Sequence, residues 1–159
     1  RTYTNPVALW DGPKDWVCLE SDSMLLTNEI KDVNRVVFQL GSNSKDTDLP
    51  FLIRKAFCNT DRLELLREAD HITTQILKSK LLMREIFQLL VILLPISKNG
   101  KKDSLVLRPV ISEDTMTAKF AQIEWGLIDF IVESLLCLDG IDTIFYDITH
   151  KPPATFGWE

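Results

Sequence analysis

Two eight-residue runs share one pattern and constrain the fold more than anything else in the chain. Val33-Asn34-Arg35-Val36-Val37-Phe38-Gln39-Leu40 and Ile141-Asp142-Thr143-Ile144-Phe145-Tyr146-Asp147-Ile148 are both rich in the branched and aromatic residues that suit strands. Each follows a stretch with helical apolar spacing, and before that a strand-like run and an acidic turn, so that Asp15 in the first unit matches Asp114 in the second. Strands separated by single helices must bury the helices against a sheet. The order predicts an α+β fold of two layers, with helices on one face of a mixed or antiparallel sheet and two related β-α-β-type units. The same pattern is also compatible with two unrelated β-α-β units of one sheet.

Local signals fill in the elements. Val7–Trp10 reads as a short strand stopped by Asp11-Gly12-Pro13. Ser23–Lys31 reads as a helix with Met24, Leu25, Leu26 and Ile30 on its apolar side and Asp22 or Ser23 as cap. Residues 42–48 are polar and predict a mobile loop. Asp61 with Glu64 has capping-box spacing, and Leu63, Leu66, Ala69, Ile72 and Ile76 mark the buried stripe of the helix that follows. Leu89–Leu94 is continuously apolar up to Pro95 and predicts a fully buried strand. Residues 97–104 predict a surface loop. Leu105–Val110 predicts a strand whose Pro109 belongs at an edge or an end. Ile128, Ile131, Leu135 and Leu138 mark a last helix ending near Gly140, and a strand follows over Thr143–Ile148.

At 159 residues, with 45% hydrophobic and 26% charged residues, the chain is long enough for a real core and has the composition of a soluble globular protein. A net charge of -5 argues against a general nucleic-acid surface. The stretch Leu81–Ile96 contains Arg84, Glu85 and Pro95, too many interruptions for a membrane span. Cys18, Cys58 and Cys137 are far apart and suit a reducing compartment with buried or idle thiols. With only His71 and His150 present, a histidine-rich metal site is excluded. The start at Arg1-Thr2-Tyr3, without Met or signal peptide, predicts that the numbering begins inside a longer protein.

The last nine residues, Lys151-Pro152-Pro153-Ala154-Thr155-Phe156-Gly157-Trp158-Glu159, are the most specific string in the chain. Pro152 and Pro153 supply no backbone donors and fix φ, which predicts an extended tail that keeps Lys151 in a defined place. A solvated, frayed tail is the competing reading. The string closely resembles the C-terminus of GMP synthases, the glutamine-dependent enzymes that aminate xanthosine monophosphate (XMP). Leu105–Ala118 resembles a second segment of the same domain, and Arg1-Thr2-Tyr3 resembles the entry into it. Leu66-Arg67-Glu68-Ala69-Asp70 and Gln88 resemble the long insertion of eukaryotic-type members.

The resemblance implies an enlarged C-terminal dimerisation domain. Residues 1–104 would be a first subdomain with the insertion, and residues 105–159 a second one carrying the nucleotide-contacting tail. It implies that Lys151, Gln88 and Arg1 contact XMP. Lysine suits a phosphate as a point charge, and a guanidinium suits a phosphate or carboxylate. Exposed or structural roles for Lys151 and Gln88 are the alternatives. Arg108, Asp114, Thr117, Pro152 and Pro153 are assigned structural roles, Arg108 and Asp114 in a salt bridge at a strand end or a subunit interface and Thr117 as a cap.

No cofactor or metal is assigned to this chain, because ATP and magnesium belong to another domain of such enzymes. The glutaminase Cys-His-Glu set and the phosphate loop are absent from the sequence, so the chain alone is expected to make no GMP. The implied partners are XMP, the rest of the synthase chain, and either a second subunit or an internal pseudo-dimer. Nucleic acid and membrane are not among them, and the implied location is the cytosol.

The tail departs from the family pattern at Gly157, where a nucleotide-contacting glutamate is usual, and Glu159 is a further candidate for that role. Thr115 stands in place of an aromatic residue, and Leu9 in the first unit stands where Arg108 stands in the second. A degenerate assembly module without nucleotide binding is therefore the alternative function.

Overall fold

The computed structural model describes residues 5–45 and 49–158. Arg1 and Glu159 lie outside them, as does the part of the expected polar loop from Asp46 to Asp48.

The chain begins with β1 (Asn5–Leu9), α1 (Trp16–Glu29) and β2 (Val33–Ser42), where β1 and β2 run parallel. It ends with β6 (Asp103–Ile111), the short β7 (Lys119–Phe120), α3 (Trp125–Leu136) and β8 (Ile141–Asp147), where β6 and β8 run parallel. The two β-α-β units meet through β2 and β8, which are antiparallel. Phe38 lies opposite Tyr146, Val37 opposite Asp147, and Gln39 opposite Phe145. This is the pairing that a two-fold axis between Phe38 and Tyr146 requires when Val33–Leu40 is matched to Ile141–Ile148. The repeat is thus an internal pseudo-symmetry of one sheet. One detail of the match changes. Leu9 pairs with Phe38 and Leu107 with Tyr146, so Leu9 corresponds to Leu107, and Trp10 stands where Arg108 stands in the second unit.

Between the units lie β3 (Leu52–Ile53), α2 (Thr60–Ser79), a single 3-10 turn (Leu82–Arg84), β4 (Gln88–Leu94) and β5 (Ile96–Ser97). The main sheet has the order β1-β2-β8-β6-β4, with β7 on the end of β6. Strands from either side of residue 104 alternate in this one sheet. The helices cover one face, over a core that includes Val36, Phe38, Leu105, Leu107, Ile144 and Tyr146. On the other face Val37, Val106 and Phe145 pack beneath Phe51, Ile96 and Trp158. The α+β class and the helices on one face follow from the sequence pattern.

Several local readings are corrected. Helix α1 starts at Trp16, capped by Asp15, whose side chain accepts from the Cys18 amide at 3.0 Å. Leu19 and Ser23 face inward, so Met24 and Leu25 point outward and are exposed. Helix α2 is capped by Asn59, one turn position ahead of Asp61, and buries Ala69, Thr73 and Leu77, while Leu63 is exposed. The apolar run Gln88–Leu94 is an edge strand with β6 as its only ladder partner. Its alternate residues serve opposite faces, Leu89, Val91 and Leu93 toward the helices and Ile92 and Leu94 toward the other side, which explains a continuous apolar run at an edge. Strand β6 is internal instead, and Pro109 is accommodated because it lies past the last β8 pair, Leu107 with Tyr146. All three cysteines are free and exposed rather than buried.

Gly41 lets α3 approach β2. A Cβ there would lie 2.8 Å from Val132 Cγ1 and 3.3 Å from Leu136 Cδ1. Gly41→Ala is expected to lower stability by about 1–3 kcal/mol through overpacking, read from a urea titration. A change below about 0.5 kcal/mol, the range of ordinary surface substitutions, would mean that α3 yields freely.

Candidate functional site

Strand alternation puts Arg35 on the same face of β2 as Val37, Asp147 on the same face of β8 as Phe145, and Arg108 on the same face of β6 as Val106. This is the face without helices, and the three side chains meet there. The Asp147 carboxylate pairs with Arg108 Nη1 at 2.8 Å and with Arg35 Nη1. Arg108 and Asp147 are fully buried, and Arg35 is 3% exposed. Charges of this kind are found inside only when paired and hydrogen-bonded. Asp147 Oδ1 also accepts from the Thr149 amide at 3.0 Å.

Two guanidinium groups on one carboxylate leave further donors, and these hold the C-terminal tail. Arg108 Nε donates to the Phe156 carbonyl at 3.0 Å, Nη1 to the Thr149 carbonyl at 3.3 Å, and Nη2 to the Thr155 carbonyl. Arg35 Nη2 donates to the Gly157 carbonyl at 2.9 Å, and its guanidinium lies over the Trp158 ring, 4.6 Å from the centroid. The tail therefore folds back over the sheet and is not extended as the proline pair suggested. The Ala154 amide turns back to the His150 carbonyl at 3.1 Å, and the Ala154 side chain is buried. The peptide bonds before Pro152 and Pro153 are both cis.

Lys151 lies where the tail begins. Its backbone bridges to Ala118. Its ammonium donates to the Thr115 carbonyl at 2.7 Å and sits 3.9 Å from the Phe156 ring centroid. Among the described residues its partners are a carbonyl and an aromatic face, neither of which cancels its charge. The Phe156 ring is in turn 5.3 Å from that of Phe87, the neighbour of Gln88. Gln88 opens β4 opposite Val110, and alternation with Ile92 and Leu94 puts it on the same face as the ion cluster. The fold thus brings Lys151, the β4 end with Gln88, and the ion cluster to one region of the sheet.

Asp114 and Thr117 form the turn that presents Thr115. The Asp114 carboxylate accepts from the Met116 amide at 3.0 Å, the Thr117 amide at 2.9 Å and the Thr117 hydroxyl at 3.2 Å. The Thr117 amide above all holds the Asp114 carboxyl below the usual carboxylate range. The turn gains from this above the ordinary carboxylate pKa and loses it as pH falls through the lowered value. Arg108 makes its ion pair with Asp147 rather than with Asp114. The N-cap of α3 is Glu124, accepting from Gly126 and Leu127 amides, while Thr117 is a donor within its own turn.

Sequence reasoning missed Arg35, Asp147, Phe87 and the pair formed by His150 Nε2 and Glu20 Oε1 at 2.6 Å. A charge set in an otherwise apolar strand was the available signal for the first two. His150 stacks on Phe120 at 5.1 Å, and a cleft of about 520 Å³ lined by Glu20, Phe120, Gln122 and His150 opens beside it. A second cleft, of about 680 Å³, is lined by Glu85, Glu113, Asp114 and Lys119. Its acidic lining disfavours a phosphate. Burial pushes the Tyr146 phenol well above its usual range, and its hydroxyl donates to the Ala121 carbonyl at 2.6 Å. Among the described residues no three His, Cys, Asp or Glu side chains converge as a metal ion requires. No helix among them is long and apolar enough to cross a membrane.

Comparison with known proteins adds the following. A family model described as the GMP synthase C terminal domain matches residues 75–158. The probable GMP synthase (glutamine-hydrolyzing) of Leptospira interrogans is 36% identical over 164 residues, which cover 100% of this chain and 26% of that protein. The GMP synthase (glutamine-hydrolyzing) of Syntrophomonas wolfei is 38% identical over 107 residues, covering 62% of this chain and 21% of that protein. That of Thermosynechococcus vestitus is 37% identical over 107 residues, covering 62% and 20%. The chain spans a fifth to a quarter of the length of these curated relatives.

Proposed function

We propose a function from one premise: the chain belongs to the family of GMP synthase C-terminal domains. In this reading it is the C-terminal part of a cytosolic glutamine-hydrolysing GMP synthase, which aminates XMP to GMP with glutamine and ATP. The chain closes the XMP site with its tail and supplies the assembly contacts. Glutamine hydrolysis, ATP and magnesium belong to the rest of the enzyme. The pairing of β2 with β8 about a two-fold axis supports an internal pseudo-dimer as the assembly contact. The two faces that single-unit relatives would have to bring from two chains are here joined in one.

The observation that carries the reading is the placement of Lys151. Its ammonium is held at a fixed point, 2.7 Å from the Thr115 carbonyl and 3.9 Å from the Phe156 ring, on a tail anchored by buried guanidinium groups. A phosphate arriving there would meet a charge that has no rotamer search left to make, which lowers the cost of binding. Gln88 would supply amide hydrogen bonds from the end of β4, and Arg1 a guanidinium from the entry motif.

The test is XMP-dependent GMP formation by the full-length enzyme. Lys151→Ala is expected to raise KM for XMP by about tenfold or more, the scale of a charge-assisted hydrogen bond, with an unchanged melting temperature. Wild-type KM in the variant would reduce the tail to packing. A second reading, an assembly module that has lost nucleotide binding, is favoured by Gly157, which offers no acceptor side chain at the position of the usual glutamate. No GMP formation by the wild-type full-length protein would select it.

A further inference from the structure

Nothing in the family match assigns a role to Arg35, which lies outside residues 75–158. It is nonetheless the residue of the first unit that reaches the tail of the second. Its guanidinium is 3% exposed, pairs with Asp147, donates to the Gly157 carbonyl at 2.9 Å and covers the Trp158 ring at 4.6 Å. Arg108 holds the two preceding carbonyls, those of Thr155 and Phe156. The Phe156 ring between them and Lys151 lies 3.9 Å from the ammonium. The contacts therefore run without a gap from Arg35 through Gly157 and Phe156 to Lys151.

We propose that Arg35 is a positioning residue for Lys151, and that through it the first β-α-β unit completes the phosphate contact carried by the second. The inference rests on the reading of Lys151 as the contact for the phosphate of a purine nucleotide. A planar fork is needed, because one side chain must bond a carboxylate and a carbonyl and also stack on an indole; an ammonium cannot do all three. Without it, Gly157 and Trp158 lose their hold, Phe156 loses its far anchor, and Lys151 must be ordered anew each time a nucleotide binds. The cost falls on binding and not on the chemical step, so KM rises while kcat stays.

The experiment is a double-mutant cycle in the full-length enzyme, with steady-state kinetics at varied XMP. Arg35→Gln is expected to raise KM for XMP about tenfold, with kcat within about twofold of wild type, the scale of one lost charge-assisted hydrogen bond. Arg35→Lys, which keeps the charge without the fork, is expected to recover only part of the loss. Placed on Lys151→Ala, Arg35→Gln is expected to add nothing, since it acts through the side chain already removed. A further multiplication of KM in the double variant, or an unchanged KM in Arg35→Gln when Lys151→Ala raises it, overturns the positioning role alone. An unchanged KM in Lys151→Ala overturns both it and the reading it rests on. If Arg35→Gln does not fold, Trp158→Ala takes its place, removing the ring under the guanidinium and leaving the ion pair. The same rise in KM that vanishes on the Lys151→Ala background supports the proposal; a rise that persists there overturns it.

Discussion

Asp147→Ala is expected to lower the stability of the chain by about 3–5 kcal/mol, the cost of removing one partner from a buried ionic group. The carboxylate is fully buried and is shared by Arg108, itself fully buried, and Arg35, which is 3% exposed. Truncation would leave both guanidinium groups facing each other in a low-dielectric interior, and would also remove the acceptor of the Thr149 amide. Asp147→Asn keeps the shape and an acceptor but loses the charge, and should cost less than the alanine variant. Urea unfolding followed by far-UV circular dichroism measures both. A loss below about 1 kcal/mol for Asp147→Ala would mean that water reaches the guanidinium groups, and the cluster would no longer account for the held tail.

The second large effect belongs to Trp16. Its ring stacks on Trp125 at 4.1 Å and 15°, and lies 5.0 Å from Tyr146 and 5.7 Å from Phe120. Its Nε1 donates to the Ile123 carbonyl at 2.8 Å. One side chain thus ties α1 to α3, β7 and β8. Trp16→Ala is expected to destabilise by about 3–5 kcal/mol, as truncations of packed aromatic residues do. Trp16→Phe keeps most of the stacking, loses the hydrogen bond, and should cost about 1 kcal/mol. Loss of the near-ultraviolet circular dichroism of the aromatic cluster should accompany the alanine variant only. Equal stabilities for the two variants would refute the stacking account.

The pattern match between Val33–Leu40 and Ile141–Ile148 was legible because both strands obey the same alternation, and the register of β2 with β8 follows it residue by residue. The start of α1 was not legible. Its inward face carries a serine, Ser23, and its outward face Met24 and Leu25, so apolar spacing pointed to the wrong turn. The edge position of β4 was hidden because a strand covered on both faces looks equally apolar whether it has one neighbour or two. For the site, the tail string was readable but its path was not. Prolines state which donors are missing, not where the carbonyls go, and those go to Arg108 and Arg35. Arg35 and Asp147 could have been marked as charges needing a partner. Their pairing spans most of the chain, and spacing carries no information about that.

The axis between Phe38 and Tyr146 has a consequence for how change accumulates. In an assembly of identical subunits every substitution is made twice, and a contact on the axis must suit itself. Here the residues on the axis differ, and each position mutates singly. Gln39 is neutral where Asp147 is acidic, and Thr143 stands where Arg35 does in the other half. The halves have divided their labour: one ends in the anchored tail, the other in the ribbon that carries Phe51. Each polypeptide thus holds a single tail, so a titration of that tail has a stoichiometry of one per chain and no second copy within the fold to cooperate with.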